Sequence, residues 1–403
     1  MIALKCVVAA LVLSICPAAS FARDVKQQLD ALVEMAHGKR LGLITNPSGC
    51  DETGRPDVEY LLNNAGTTIT AFFAPEHGFR GILPAGRGDK DYVDPNTSIP
   101  VVAVYGPRKA PTPQQLANVD ILVFDMQDVG ARFYTFTWTM TLCMEAAAQA
   151  GKKFVVIDRP NPVGGIKVEG PANEKDHGLI GRVIPSAGIG VTTRHGMTVG
   201  EIAKMWNSEA MNPRVELTVL KMAAWKRGQL WKDTGRKYLP PSPNMRTPEA
   251  ALVYSGTCIF EGSKLSEGRG TVKPFEMIGA PFVNPEQYAN ALTSAALPGV
   301  KFSPVRYTPT TSKHKNVECG GVELAVTDTQ SFKPVQTGLV MLQTALKRYP
   351  DDMKSTASAT RLSGIPELES RLRSESVDQI LQSAEPSRQR FLAIRKKYLL
   401  YPE

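Results

Sequence analysis

What most restricts the fold of this chain is an alternation of two hydrophobic periods over residues 26–165. Leu29, Leu32, Val33 and Ala36 take the i, i+3, i+4, i+7 spacing of one helix face within Gln27–Ala36. A near-continuous apolar strand follows at Leu41–Thr45, then a helix over Val58–Asn64 and a strand over Thr68–Phe73. The series continues with strand Val101–Tyr105, a short helix at Gln114–Asn118, strand Ile121–Phe124, a long helix Tyr134–Ala150 and strand Phe154–Ile157. Strands apolar on both faces and separated by amphipathic helices require a parallel sheet covered on both sides. An open, doubly wound α/β sheet satisfies that pattern. A TIM barrel would need more regular units than the chain supplies.

Beyond residue 165 the chain is richer in Gly and Pro, with a helix predicted at Val199–Ala210 behind the capping box Thr198-x-x-Glu201. Another helix should begin with Thr247 as N-cap and Pro248 in its first turn. After Pro281 the pattern changes: helices at Pro285–Ala296 and Gln336–Arg348 flank a strand at Val322–Thr327, and helical segments fill 366–399. There Phe391, Ile394 and Tyr398 share a face, as in a helix docked on the protein. The reading is a larger α/β domain over 23–280 and a smaller α+β auxiliary domain over 281–403, closely packed.

Met1–Ala22 stands apart. Its single charge is Lys5, an apolar run spans Cys6–Ile15, and small residues lead to Ser20-Phe21-Ala22. This is the layout of a secretory signal peptide. Its apolar run is too short to cross ~30 Å of hydrocarbon, and Ile15 before Cys16 argues against a lipid anchor. The expectation is an exported protein beginning near Arg23, with the periplasm as destination and no stable membrane insertion. Four cysteines then remain, Cys50, Cys143, Cys258 and Cys319. None forms a CxxC or Cys/His cluster, so no metal site is expected. They read as buried small hydrophobes, with one disulfide left open. The +8 formal charge is spread along the chain: it permits anionic partners but lacks the dense block of a nucleic-acid arm.

Each strand of the first domain ends in polar, Gly and Pro residues: Asn46-Pro47-Ser48-Gly49, Pro75-Glu76-His77-Gly78-Phe79-Arg80-Gly81, Gly106-Pro107-Arg108, Asp125 to Arg132, and Asp158-Arg159-Pro160-Asn161-Pro162. In open parallel sheets that edge lines the ligand crevice. No GxGxxG follows the first strand, and GxxxxGK[ST] and GxSxG are absent from the chain, so neither a nucleotide nor any other cofactor is expected. Carboxylates and guanidiniums abound instead: Glu76, Asp125, Asp128 and Asp158 beside Arg80, Arg132 and Arg159. An exported, acid-rich cleft suits hydrolysis, and glycoside hydrolysis needs a carboxylic acid to protonate the leaving oxygen. Further polar blocks lie at Arg194-His195-Gly196-Met197-Thr198, Pro241-Ser242-Pro243-Asn244-Met245, Ser266 to Thr271, and Pro274-Phe275-Glu276.

Taken in order, Leu43–Gly49, Pro75–Gly81, Phe124–Thr135, Asp158–Pro162, His195–Thr198 and Ser266–Phe275 resemble the signature blocks of the exo-β-N-acetylmuramidases of the NamZ type, a glycoside hydrolase family. The resemblance covers nearly the whole chain after residue 22. It implies a Rossmann-like catalytic domain that binds no dinucleotide, an auxiliary domain, and an active cleft between them. It also implies release of N-acetylmuramic acid from non-reducing ends of peptidoglycan-derived saccharides, with Glu76 as the leading catalytic residue. His77 or His195 would tune it or hold a water. Asp125 or Asp128 would be base or nucleophile, unless the sugar's own acetamido group attacks. Arg80, Arg132 and Arg269 are the candidates to grip the lactyl carboxylate. Asn46, Gln127, Tyr134, Asp158, Asn161, His195, Ser242, Asn244, Glu267 and Glu276 complete the candidate sugar contacts. One departure is visible: Arg246-Thr247 follows Met245 where a Pro before the Thr is expected. A periplasmic sugar- or muropeptide-binding protein without turnover, and another exported hydrolase such as an amidase or esterase, are the competing readings.

Overall fold

In the computed structural model, which describes residues 24–403, the alternation resolves into a seven-stranded sheet. The signal-peptide reading of 1–22 lies outside the described residues. Helix α1 (Asp24–Met35) leads into β1 (Arg40–Thr45), α2 (Asp57–Leu62), β2 (Thr68–Ala74), the two-residue β3 (Tyr92–Val93), β4 (Pro100–Ala103) and β5 (Ile121–Asp125). Helix α3 (Thr135–Gln149), β6 (Lys153–Ile157), the hairpin β7 (Glu169–Ala172) and β8 (Thr192–Arg194), α4 (Val199–Glu209) and β9 (Glu216–Leu220) follow. The sheet order is β3-β4-β2-β1-β5-β6-β9, parallel throughout except for β3, which is antiparallel to β4. Leaving β3 aside, the six parallel strands run third-second-first-fourth-fifth-sixth. That is the doubly wound order, whose winding reverses between β1 and β5 and opens a crevice there.

Continuous apolar strands still obey the pleat. Leu41 and Leu43, Ile121 and Val123, and Val155 and Ile157 enter one core layer with α1, while Ile44, Leu122 and Phe124, and Phe154 and Val156 enter the other. Helix α3 is buried around its circumference from Thr135 to Thr141, as befits an apolar helix clamped between layers. The Thr198–Glu201 capping box forms as expected. Gln114–Asn118, expected as a helix, makes only turns. Pro111 and Pro113 remove two amide donors, and Thr112 caps the remaining turn through the Gln115 backbone N–H at 3.3 Å.

Helix α5 (Pro248–Thr257), capped by Thr247, leads on to β10 (Met277–Ala280), α6 (Pro285–Ser294), β11 (Val300–Tyr307), β12 (Cys319–Val326), α7 (Pro334–Arg348), α8 (Ala357–Ser363), α9 (Leu368–Ser374) and α10 (Val377–Arg395). The smaller sheet is antiparallel, in the order β10-β12-β11. Helices α5 and α7 cross at reciprocal glycines: a Cβ on Gly256 would strike the Pro334 backbone, and one on Gly338 would strike Gly256. Phe391 of α10 is buried in the shared core, and the chain end returns to the first domain. There the Tyr401 hydroxyl donates to Asp158 and accepts the Met222 N–H at 3.2 Å. Among the described residues no helix is long and apolar enough to cross a membrane. Cys50, Cys143, Cys258 and Cys319 are all buried and unpaired.

Candidate active site

A cavity of about 250 Å³ opens at the carboxyl edge of the large sheet, lined by residues following β2, β4 and β5 and closed by residues of the second half of the chain. Glu76 lies two residues beyond β2. The chain turns sharply after it, with His77 at φ 71° and Gly78 at φ 77°. Such a conformation is costly at histidine and is held only where surrounding bonds insist on it. The His77 N–H donates to Arg87 O at 2.8 Å, and its carbonyl accepts the Leu83 N–H at 3.1 Å. The Glu76 carboxylate accepts the Gly86 N–H at 2.6 Å on Oε1 and the Thr135 hydroxyl at 2.7 Å on Oε2. The first residue of α3 therefore fixes the acid. His77 Nδ1 lies 2.7 Å from Leu83 O. Burial holds its imidazole below the usual range, against the pull of Glu76. A carbonyl only accepts, so Nδ1 carries the proton of the neutral ring and Nε2 keeps its lone pair.

Glu261 and Arg269 line the same cavity. Arg269 pairs with Glu261 through Nη2 and with Glu267 through Nε at 3.0 Å, and its guanidinium lies 5.0 Å from the Phe275 ring centroid. The Glu261 side chain keeps a third of its surface exposed, yet burial pushes its carboxyl upward against the opposing pull of Arg269. The walls are aromatic: Tyr254 meets Phe133, Tyr134 and Phe275 edge-on at centroid distances of 5.1, 6.2 and 4.6 Å. Tyr105 also faces the cavity, its hydroxyl pushed upward by burial and by Glu76.

Of the residues singled out from sequence, Glu76, His77, Tyr134, Ser242, Asn244 and Arg269 meet in this cavity. Glu267 sits behind Arg269. Asn46 supports the site from outside, donating to Pro241 O at 3.1 Å and so holding the Ser242 loop. The others have different work. Asp125, a candidate base or nucleophile, is buried in an ion cluster with Arg159 and Asp57; it accepts Arg159 Nε at 3.0 Å. Asp128, the other candidate, accepts the Gly130 N–H at 2.7 Å and the Thr137 hydroxyl at 3.1 Å, with His195 Nε2 at 3.5 Å. Neither lines the cavity.

Asp158 caps α4 by accepting the Gly200 N–H and the Thr198 hydroxyl, and burial raises its carboxyl to about 6. Gln127 donates to Asp128 O and Pro160 O, and Asn161 to Met197 O, each tying loop to loop. Arg80 is half exposed, paired with Asp94 over the Phe79 ring. Arg132 is wholly buried and donates to Ile180 O at 3.1 Å and Leu362 O at 2.7 Å. It is therefore closed to a lactyl carboxylate. Glu276 is half-buried and outside the cavity wall. The sequence reading missed Glu261, Tyr105, Thr135 and Tyr254. Glu261 had one available signal: it is the lone charge in the mostly apolar stretch from Ala250 to Gly262.

An aromatic-walled cavity holding two carboxyl groups at the edge of a doubly wound sheet is suited to glycoside hydrolysis. The chain belongs to the NamZ exo-β-N-acetylmuramidase family: the profile of its N-terminal domain matches residues 41–249 and that of its C-terminal domain residues 252–401. It is 44% identical over 381 residues to the peptidoglycan β-N-acetylmuramidase NamZ of Bacillus subtilis, covering 94% of this chain and 89% of that protein. Two crystal structures of DUF1343 family proteins from Bacteroides fragilis share the fold. One has a TM-score of 0.83 at 31% identity, covering 94% of this chain and 97% of that one. The other has a TM-score of 0.73 at 27% identity, covering 94% and 98%.

Proposed function

We propose that this chain is an exo-acting glycoside hydrolase that releases N-acetylmuramic acid from the non-reducing ends of peptidoglycan fragments, and that the cavity around Glu76 is where it does so. Membership of the family across both domains and the identity to the Bacillus subtilis enzyme support the reaction. One observation carries the site: Glu76, Glu261 and Arg269 line a single cavity.

Cleaving a glycosidic bond needs one carboxylic acid to give the leaving oxygen its proton. A second carboxyl group supplies a base or nucleophile, or orients the substrate's own acetamido group. Glu76 takes the first role, with Thr135 and Gly86 holding its carboxyl in one orientation. Glu261 takes the second, in place of Asp125 and Asp128. The Nε2 lone pair of neutral His77 accepts a hydrogen bond from water or a sugar hydroxyl. Arg269 takes the lactyl carboxylate: two of its nitrogens are anchored by Glu261 and Glu267, and among the described residues its Nη1 makes no protein hydrogen bond. A planar guanidinium so oriented grips a carboxylate with strong, directional hydrogen bonds. Tyr254 and Phe275 offer the sugar ring an apolar face.

The deciding assay offers a chromogenic β-N-acetylmuramide beside the matching N-acetylglucosaminide. Release from the muramide alone is expected. Release from the glucosaminide alone, or from neither, overturns the reading. Export to the periplasm, proposed from Met1–Ala22, is tested separately by the N-terminus of the mature protein.

A further inference from the structure

The guanidinium of Arg269 is the inner end of a chain of charges that begins in the smaller domain. Lys313, on the loop between β11 and β12, reaches across to donate to Glu267 Oε2 at 3.0 Å. The same ammonium donates to Phe260 O and to Leu265 O at 2.9 Å, so all three of its protons are used. Glu267 is 2% exposed; its other oxygen, Oε1, takes Arg269 Nε at 3.0 Å. Arg269 in turn meets Glu261 at the cavity wall. Charges thus alternate from Lys313 through Glu267 and Arg269 to Glu261. The loop carrying Lys313 is bent to make this reach: Ser312, His314 and Asn316 all have positive φ, at 66°, 54° and 61°. Left-handed non-glycine residues persist only where the surroundings hold them.

We infer that Lys313 is a positioning residue for carboxylate recognition: by neutralising one oxygen of Glu267, it leaves the other to fix the plane of Arg269, so that the smaller domain sets the enzyme's preference for a lactyl-bearing sugar. The inference rests on the reading above that Arg269 takes the lactyl carboxylate. Without Lys313, Glu267 would be a buried carboxylate with a single cationic partner. It would then compete for the guanidinium donors that the substrate needs, and Arg269 would turn inward.

The test compares inhibition of muramide cleavage by free N-acetylmuramic acid and by its neutral lactyl amide, in wild type, Lys313→Met, Lys313→Arg, Glu267→Gln and Arg269→Ala. In wild type the acid should bind about tenfold or more tightly than the amide, as expected of a charge-assisted hydrogen bond. Lys313→Met and Glu267→Gln should both collapse that ratio toward one, chiefly by weakening the acid, and Lys313→Arg should restore much of it. A general loss of stability would weaken acid and amide alike. If Arg269→Ala abolishes the ratio but Lys313→Met and Glu267→Gln leave it intact, the positioning role is overturned while Arg269 keeps its own. If Arg269→Ala leaves the ratio intact, the reading of Arg269 fails, and the role of Lys313 fails with it.

Discussion

The Thr135 hydroxyl donates to Glu76 Oε2 at 2.7 Å, joining the opening residue of the central helix to the acid beyond β2. On the proposed mechanism this bond sets the orientation of the acid's carboxyl group. If Glu76 is the general acid, Glu76→Gln should cut turnover of natural peptidoglycan fragments by roughly 10²–10⁴-fold. The loss should be far smaller on a dinitrophenyl glycoside, whose leaving group departs without a proton. Glu261→Gln should impair both substrates alike. Equal losses for Glu76→Gln on the two substrates would take the acid role from it. Thr135→Val, which removes only the orienting bond, should lower kcat about tenfold with little change in KM.

His77 makes a prediction about pH. Burial lowers its imidazole below the ordinary 6.5, so below that pH the unfolded chain takes up a proton that the folded chain refuses. Stability contributed by neutral His77 is whole above 6.5 and is lost as the pH falls from there toward the lowered folded value. His77→Gln should flatten the decline of Tm between pH 6.5 and 5 relative to wild type. A parallel decline in both proteins would remove His77 as its cause.

The thiols test both burial and export. Cys50, Cys143, Cys258 and Cys319 are buried and unpaired, so a thiol reagent should find almost none in the native protein. In denaturant it should find the four of a chain that begins at Arg23. Six thiols and an intact Met1 in secreted material would refute signal cleavage, because Cys6 and Cys16 lie within the proposed leader.

The Arg159 cluster should matter for folding alone. Its guanidinium separates Asp57 from Asp125, both of which are buried. Asp57 already has its carboxyl raised by burial and by Asp125. Arg159→Met should cost about 3–5 kcal/mol in urea unfolding, the usual result of stripping one partner from buried charges. Whatever folds should keep its KM. A large KM change would return Asp125 to the active site.

The same cluster shows where the sequence stopped being legible. Strand order, helix caps and the crowding of polar residues at one sheet edge follow from hydrophobic period and turn chemistry, which are local. Whether an acid at that edge faces the ligand or an arginine is not local: Asp125 and Glu76 look alike in the sequence, and only the approach of Arg159 from the next strand separates them. Glu261 was hidden for the converse reason. Its neighbours are apolar because α5 and the turn after it are buried between domains, and a lone acid there reads as part of a core segment. Strands β9 and β11, partly exposed and without a clear alternation, were likewise not foreseen.

The link from Tyr401 to Asp158 bears on how the fold is completed. Asp158 follows the end of β6, one strand in from the sheet edge, and its buried carboxylate accepts the hydroxyl of Tyr401, far along the chain. That corner closes only once the segment around residue 401 has docked on it. All seven strands of the sheet come earlier in the chain, so residue 401 acts on an assembled sheet as a latch that pins the Asp158 corner.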